Sequence, residues 1–251
     1  MLIMKEQEVN YDRFREFPVC CDELGVLYKQ ELMNLLHECE SFIKQHPNLQ
    51  SQPVLSIIGR EYKENYHSLL IKYIWEHANG DQILYHFLKS AGVEGDWIES
   101  VLHQQYKIET EHVIIRQRYK SWNGKRIDLL VYDDVNKWLV IIENKLLSSV
   151  RYSTESKTQL DIYYSYCENN RRWDGYNKAY VLLDYKDENT DDRWVSANYR
   201  HLFSSLLDNC PEDNVADEYL RTLFSILSPL TYGDDVRKLS ETRLFYKEII
   251  A

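Results

Sequence analysis

The fold can be read from one stretch of the chain, GKRIDLLVYDDVNKWLVIIENK, at residues 124–145. It holds two apolar runs, at 127–132 and 138–142, and the polar segment 133–137 joins them. Short runs rich in Val, Ile and Leu that end at turn residues are typical of β-strands. The stretch therefore predicts a β-hairpin with a medium-length loop, in which the two aspartates after the first run are turn residues.

Three charged side chains lie in or beside these apolar runs. Asp128 belongs to the first run, and Glu143 and Lys145 close the second, two residues apart. Because side chains alternate along a strand, Glu143 and Lys145 are expected to point to the same face. Acids and lysines are rarely placed in buried strands unless they are paired or used, so these residues are the first candidates for a functional site.

The composition is that of an ordinary globular protein, with 251 residues, 44% of them hydrophobic and 28% charged. This length suits one substantial domain with extensions rather than two independent cores. No apolar run reaches the length of a membrane span and no signal-peptide pattern occurs, so a cytoplasmic protein without membrane contact is expected. The net charge of −10 argues against coating nucleic acid by bulk electrostatics, but not against an enzyme with a local basic rim.

The cysteines predict neither a disulfide framework nor a zinc site, since their number is odd and no CxxC pair occurs. The five are Cys20, Cys21, Cys39, Cys167 and Cys210. The adjacent pair near the N-terminus is expected to be structural rather than redox-active.

Helical periodicity precedes the hairpin. Apolar residues recur at helix spacing from about residue 24 to residue 42. A second helix is predicted to start near Gly59, with Glu64, His67 and Ser68 on one strip. The apolar face beside that strip is predicted to consist of Tyr62, Tyr66, Leu69, Leu70, Tyr73, Ile74 and His77. A third helix is predicted over residues 81–91 and a short fourth helix over residues 97–104.

Roughly alternating apolar residues predict one long or bulged strand over residues 105–120, ahead of the hairpin. A polar loop is predicted over residues 148–156, followed by a helical stripe over 159–167. The segment KAYVLLD, residues 178–184, predicts a fourth and internal strand, and the chain is helical again from residue 198. This order predicts a small mixed sheet flanked by helices, in a single α/β domain.

Two carboxylates and a lysine at neighbouring strand ends have a specific chemical use. Mg²⁺ and Mn²⁺ prefer oxygen ligands, usually one or two carboxylates together with waters and a substrate phosphate. Asp128 and Glu143, on adjacent strands, could supply those oxygens. Lys145 would then be placed to orient an attacking water, to help deprotonate it, or to neutralise charge that builds on a phosphoryl group.

This arrangement resembles the PD-(D/E)XK nuclease superfamily, whose sites combine an aspartate on one strand with (D/E)-x-K on the next. The chain has Asp128 followed by Glu143–Asn144–Lys145, although Ile127 stands where the named motif has proline. Upstream, residues 64–68, ENYHS, are similar to the first-helix motif of the family. The E-x-x-H-S helix and the I-E-N-K strand resemble a bacterial group of which some members occur with anti-phage or mobile-element genes.

Downstream, Gln159 and Tyr163 match the QxxxY element of the exonuclease-like branch, so the resemblance covers about residues 60–185. It implies a restriction-endonuclease-like core, αβββαβ, over residues 59–190. A helical N-terminal arm would precede the core over residues 1–58. A helical C-terminal extension, residues 191–251, would be packed on the core.

The resemblance also implies a nuclease that hydrolyses phosphodiester bonds, of DNA rather than RNA, with Mg²⁺ or Mn²⁺. Asp128, Glu143 and the backbone carbonyl of Asn144 would bind the ion, with Glu64 completing the site. Lys145 would position or activate the water.

The QxxxY residues, Gln159 and Tyr163, would support the lysine or a substrate phosphate. Nearby basic residues could form a rim for the nucleic acid substrate: Arg116, Arg118, Lys120, Lys125, Arg126, Arg151 and Lys157. A homo-oligomer or a partner protein is compatible with the acidic surface and the helical ends.

Each candidate also has an ordinary structural interpretation. Asp128 could pair with a neighbouring Lys125 or Arg126, and Glu143 with Lys145 could form a surface ion pair of little energy. A glutamate in the first turn of a helix is favoured by the helix dipole alone. Gln159 and Tyr163 are one turn apart and could simply pack, and His67 is more typical of a hydrogen-bonded helix histidine than of a ligand.

Two other classes of function remain open from the sequence. The first is a binding module for nucleic acid or protein that keeps this fold without catalysis, in which one of the three strand residues would normally be lost. The second is a protein-interaction subunit whose acidic surface docks a partner.

Overall fold

The computed structural model describes residues 34, 37–77, 79–103, 105–114, 124–146, 152–154, 157–185, 191–209 and 213–227. Its helices are α1 (Val54–Ile57), α2 (Glu64–Glu76), α3 (Gly80–Ser90), α4 (Gln159–Glu168), α5 (Tyr199–Asn209) and α6 (Asn214–Leu227). Its strands are β1 (Lys107–Val113), β2 (Arg126–Asp133), β3 (Trp138–Lys145), β4 (Tyr152–Thr154), β5 (Lys157–Thr158), β6 (Asn177–Asp184) and β7 (Val195–Ala197). Residues 37–45 are also helical, and 3-10 turns occupy Pro47–Gln50, Asp96–His103 and Arg171–Trp173.

Five of these strands form one mixed sheet in the order β1-β2-β3-β6-β7. β2 is antiparallel to both β1 and β3, whereas β6 is parallel to β3 and β7 is parallel to β6. A parallel pair needs a crossover connection, and α4 lies in the crossover from β3 to β6. The α/β fold, the hairpin and the internal position of β6 are confirmed.

Side-chain alternation divides the buried residues of the sheet between two faces. Leu130, Leu139 and Ile141 pack with Leu160 and Tyr163 of α4, while α2 packs against the other face of β1, β2 and β3. β3 is buried along its whole length. By this alternation Asp128, Glu143 and Lys145 lie on the α4 face, and Asn144 lies on the α2 face.

The prediction for α2 was wrong in its start and in its buried face. Gly59 has a φ of 63° and follows the short helix α1, a conformation that suits glycine just beyond a helix end, and α2 begins only at Glu64. The tyrosines and Leu69 of the predicted apolar face are exposed. The buried face instead consists of His67, Ser68, Ile71, Ile74 and Trp75.

The predicted strand before the hairpin is β1, and residues 115–120 of that prediction lie outside the described residues. Glu111 has a φ of 53° and interrupts the pairing opposite Asp128, although the register is the same on either side. The sequence reading missed the β4–β5 pair and the three-residue β7, which is too short to show alternation.

Two compact units can be distinguished, residues 51–226 and residues 1–50 with 227–251. The first contains the sheet and α1 to α5, so residues 191–226 of the predicted C-terminal extension belong to the same unit as the sheet. The second is described over its helical residues 37–45 and Pro47–Gln50. None of the helices in the described ranges is long and apolar enough to cross a membrane.

Candidate active site

β2 and β3 separate at the end of the sheet that carries the predicted site. Their pairing ends at Leu129 and Ile142, and beyond it the backbone N–H of Asn144 donates to Asp128 Oδ2 at 2.8 Å. The N–H and C=O groups of one strand residue point to the same neighbour. The carbonyl of Asn144 therefore lies on the edge of β3 that faces Asp128, which is the placement that the predicted metal ligand needs.

The carboxyl group of Glu143 lies inside the protein. Its side chain is 0% exposed and forms an ion pair with Lys145, whose side chain is 9% exposed. Neither carboxylate oxygen accepts a hydrogen bond of ordinary geometry from the described residues. Burial, and next the negative charge of Asp128, raise the pKa of Glu143 well above its usual value. Burying this acid is costly even beside Lys145, and a divalent cation at the two carboxyl groups would lower the cost further.

Asp128 shares this electrostatic environment. Burial raises its pKa to about 6, against the attraction of Lys145 and the hydrogen bond from the Asn144 N–H. Arg126 does not pair with Asp128; its guanidinium lies 3.2 Å from Glu111. Two neighbouring carboxyl groups repel each other when both are ionised. A divalent cation bound to both would stabilise the doubly ionised state.

Lys145 is held in the charged form. Burial alone would lower its pKa, but the charges of Glu143 and Asp128 outweigh that effect and raise the pKa above the usual value. An ammonium group has no lone pair, so in this arrangement Lys145 can donate hydrogen bonds and neutralise negative charge but cannot accept a proton. Of the roles considered from the sequence, orienting a water and neutralising a phosphoryl group fit best.

Glu64 reaches the same end of the sheet from another direction. It is the first residue of α2, and its Oε1 accepts a hydrogen bond from the backbone N–H of Leu146 at 3.0 Å. Its negative charge acts on both Asp128 and Lys145. Within the described residues, however, no three His, Cys, Asp or Glu side chains form a ready-made metal cage.

The residues present nevertheless fit a hard divalent cation. Mg²⁺ commonly takes one or two carboxylates and keeps several waters, so a closed cage of three acids is not required. Asp128 and Glu143 supply two adjacent carboxylates, and the oxygens of Glu143 have no other hydrogen-bond donor of ordinary geometry in the described chain. The metal ligand assignment itself stays a prediction.

Gln159 and Tyr163 act on the strand that carries Asp128. Gln159 Nε2 donates to the Tyr163 hydroxyl at 2.6 Å, and that hydroxyl donates to the backbone carbonyl of Arg126. The hydrogen bonds of the QxxxY pair thus run to the start of β2, two residues before Asp128. α4 itself begins with a capping box, in which the side chains of Thr158 and Asp161 each bond the other's backbone N–H.

Part of the predicted basic rim lies outside the described residues, namely Arg116, Arg118, Lys120, Arg151 and the side chain of Lys157. Arg126 is described, and its partner is Glu111.

His67 is buried in the helix behind the site. Its Nε2 contacts the carbonyl of Glu61 at 2.7 Å and its Nδ1 contacts the Tyr219 hydroxyl at 3.0 Å. Burial lowers the pKa of His67, so the ring is neutral at physiological pH. These contacts support the structural interpretation of this histidine.

Sequence reasoning assigned no role to three buried polar groups around the site: the side chain of Asn144, Tyr199 and Tyr219. The histidine and serine after Glu64 were the available signal, because two polar residues on the inner face of a helix imply buried hydrogen-bond partners.

A model of the PD-(D/E)XK nuclease superfamily matches residues 52–225 of the chain. The match includes Glu64, Asp128, Glu143, Lys145 and the QxxxY helix. Searches of curated proteins and of solved structures found no match.

Proposed function

Since the chain belongs to the PD-(D/E)XK nuclease superfamily, we propose that it is a metal-dependent nuclease that hydrolyses phosphodiester bonds, with DNA as its preferred substrate. One observation carries the proposal. Glu143 is completely buried next to Asp128, and Lys145 is the cation beside it. Replacing a buried ion pair by well-packed apolar residues is often neutral or stabilising, so the buried pair of Glu143 and Lys145 is better explained by use than by stability.

Asp128, Glu143 and the carbonyl of Asn144 would hold Mg²⁺ or Mn²⁺, with Glu64 as a further oxygen donor. When bound, the ion supplies polarisation of the scissile phosphate and a more acidic water. The carboxylates are already oriented, because backbone N–H groups of β3 and the residue after it hold one oxygen each of Asp128 and Glu64.

Lys145 would act as a fixed hydrogen-bond donor. An ammonium group has three N–H donors, so it can keep its contact with Glu143 and still donate to an attacking water or to a non-bridging phosphoryl oxygen. Stabilisation of negative charge by a preorganised donor of this kind is often a large contribution to catalysis. Tyr163 and Gln159 would hold the start of β2, and with it Asp128, in place.

The proposal places this activity in the cytoplasm and in anti-phage or mobile-element biology. The biological role rests on the resemblance of the E-x-x-H-S and I-E-N-K segments to the bacterial group described above, whereas the cytoplasmic location is the expectation stated from the sequence. The exonuclease-like QxxxY element favours attack from a strand end, which circular and linear substrates would distinguish.

The test is cleavage of labelled DNA and RNA by the purified protein with Mn²⁺, with Mg²⁺ and with EDTA. We expect cleavage of DNA that EDTA abolishes and that Lys145→Ala reduces by about 10²- to 10³-fold, as for loss of other preorganised donors. Lys178→Ala is the matched control, because Lys178 also forms a partly buried ion pair with a glutamate, Glu168, at 3.3 Å. It lies near the start of β6, opposite the beginning of β3, and its loss should leave cleavage unchanged.

Cleavage that survives both EDTA and Lys145→Ala would contradict the proposal. An inactive wild-type protein that binds DNA but shows no calorimetric Mn²⁺ binding would instead identify a module that has kept the fold without the chemistry.

A further inference from the structure

The side chain of Asn144 has no part in the proposed chemistry, yet it is completely buried among polar partners. Its Nδ2 donates to the backbone carbonyl of Glu64 at 3.1 Å and to Ser68 Oγ at 3.2 Å. Its Oδ1 accepts a hydrogen bond from the hydroxyl of Tyr199, in α5. A buried amide that is satisfied at both ends is fixed in place rather than merely tolerated.

These partners leave the amide only one orientation. The backbone carbonyl of Glu64 can only accept, so the group that faces it must be the NH₂ of Asn144. The carbonyl end of the amide then meets the Tyr199 hydroxyl as an acceptor. An aspartate or leucine of similar size could not make both contacts.

Glu64 is consequently held at two points by the residues on either side of Lys145. The side chain of Asn144 holds its backbone carbonyl, and the N–H of Leu146 holds its carboxylate. Asn144 also donates its own N–H to Asp128. One residue of β3 therefore makes hydrogen bonds to two of the three acids of the candidate site, which come from different elements.

The first turn of α2 depends on these outside contacts. The residue before it, Lys63, makes no side-chain capping hydrogen bond. The turn is instead anchored from outside by Asn144 and through His67, which contacts Tyr219 of α6. Within the helix, Ser68 Oγ also donates to the Glu64 carbonyl at 3.2 Å.

We propose that the side chain of Asn144 is a positioning residue, which sets the place of Glu64 relative to Asp128 and Glu143 and thereby sets the affinity of the site for its metal ion. This inference rests on the proposed function. It assigns a role to the middle position of the E-N-K segment, where the superfamily motif asks for no particular side chain. Groups that orient metal ligands commonly contribute about 10- to 100-fold to the affinity for the metal ion. A contribution of about 10-fold or more is therefore expected from the side chain of Asn144.

Calorimetric Mn²⁺ titration of four proteins tests the inference: wild type, Asn144→Ala, Glu64→Gln and the double variant. We expect Asn144→Ala to weaken Mn²⁺ binding by about 10- to 100-fold. If Asn144 acts through Glu64, the double variant should bind Mn²⁺ about as weakly as the single variant with the lower affinity, because the two losses of affinity are not independent. A residue that merely stabilises the fold would leave the Mn²⁺ dissociation constant unchanged, and one that acts on the ion independently of Glu64 would give losses that multiply.

Asn198→Ala is the matched control. Asn198 is also a buried asparagine, with side-chain hydrogen bonds to the carbonyl of Tyr185 and the N–H of Arg200. Its replacement should lower the melting temperature and leave the Mn²⁺ dissociation constant unchanged.

Tyr199→Phe covers the case in which Asn144→Ala does not fold. It removes the donor to Asn144 Oδ1 and keeps the aromatic ring, whose centroid lies 5.6 Å from that of His67. Weakened Mn²⁺ binding that is again not additive with Glu64→Gln supports the inference.

Wild-type Mn²⁺ affinity in both Asn144→Ala and Tyr199→Phe, or full additivity with Glu64→Gln, overturns the positioning role and leaves the proposed function standing. A wild-type protein that binds no Mn²⁺ overturns the proposed function and this inference with it.

Discussion

Replacing Asp128 by asparagine is expected to stabilise the metal-free protein at neutral pH. Burial raises the pKa of Asp128 to about 6 in the folded protein, from an ordinary value of 3.8. The folded protein therefore binds this proton more tightly than the unfolded chain does. The stability that Asp128 contributes is complete below about pH 4 and is lost as the pH rises through about 6.

The size of the effect follows from this difference in pKa. One pKa unit corresponds to about 1.4 kcal/mol, so ionising Asp128 costs the folded state up to about 3 kcal/mol at pH 8. An asparagine has no charge to bury and still offers an oxygen to the Asn144 N–H. Asp128→Asn should approach this gain in unfolding free energy at about pH 8 and show little gain near pH 4.

Urea unfolding in EDTA, from about pH 4.5 to about pH 8, measures the difference between variant and wild type. Asp134→Asn is the control, because Asp134 lies in the turn of the same hairpin. A hydrogen bond from Tyr176 holds the pKa of Asp134 below its usual value, so the stability that Asp134 contributes changes only below about pH 4. The difference between Asp134→Asn and wild type should therefore stay nearly constant over this pH range. A difference between Asp128→Asn and wild type that stays constant over this pH range would refute the reasoning.

Three further outcomes follow from the structure. Mn²⁺ should raise the melting temperature of the wild type and not that of Glu143→Gln, because only a folded state that binds the ion is stabilised by it. Thermal scans across a Mn²⁺ titration measure this effect. An equal shift in both proteins would show that Glu143 is not a ligand. Tyr163→Phe should lower the unfolding free energy by about 1 kcal/mol or more, since it leaves the carbonyl of Arg126 without its buried donor; an unchanged urea midpoint would contradict this. Burial raises the pKa of Cys167 to about 12, so iodoacetamide should alkylate this thiol only after unfolding. Peptide mass spectrometry detects the modified cysteine. Rapid labelling of the native protein would show that α4 opens readily.

The hairpin was predictable because everything that defines it is local. Its apolar runs, its turn and the spacing of Glu143 and Lys145 lie within 22 residues, and Asp133 caps the turn as expected, accepting hydrogen bonds from the N–H groups of Val135 and Asn136. Alternation then placed Glu143 and Lys145 on one face. The apolar runs also predicted buried strands, but the sequence could not reveal that α4 covers this face, which decides against the alternative of a surface ion pair.

The buried face of α2 was not predictable from local periodicity. Tyrosines and Leu69 form the more apolar stripe, but the structure buries His67 and Ser68 instead. Their partners, Asn144 and Tyr219, lie 76 and 152 residues further along the chain. Hydrogen bonds to such distant residues offset the free-energy cost of burying a polar side chain. The residue pattern within the helix does not indicate them.

The turn of the β2–β3 hairpin lies at the opposite end of the strands from the candidate active site, yet its length determines what the site contains. A single-residue insertion that the turn passes on to β3 would shift that strand by one position against β2, and every side chain of β3 would change faces. Glu143 and Lys145 would then point towards α2, and Asn144 towards α4. Surface loops usually tolerate changes of length, but this loop tolerates an insertion only if the turn absorbs the extra residue without shifting β3 against β2.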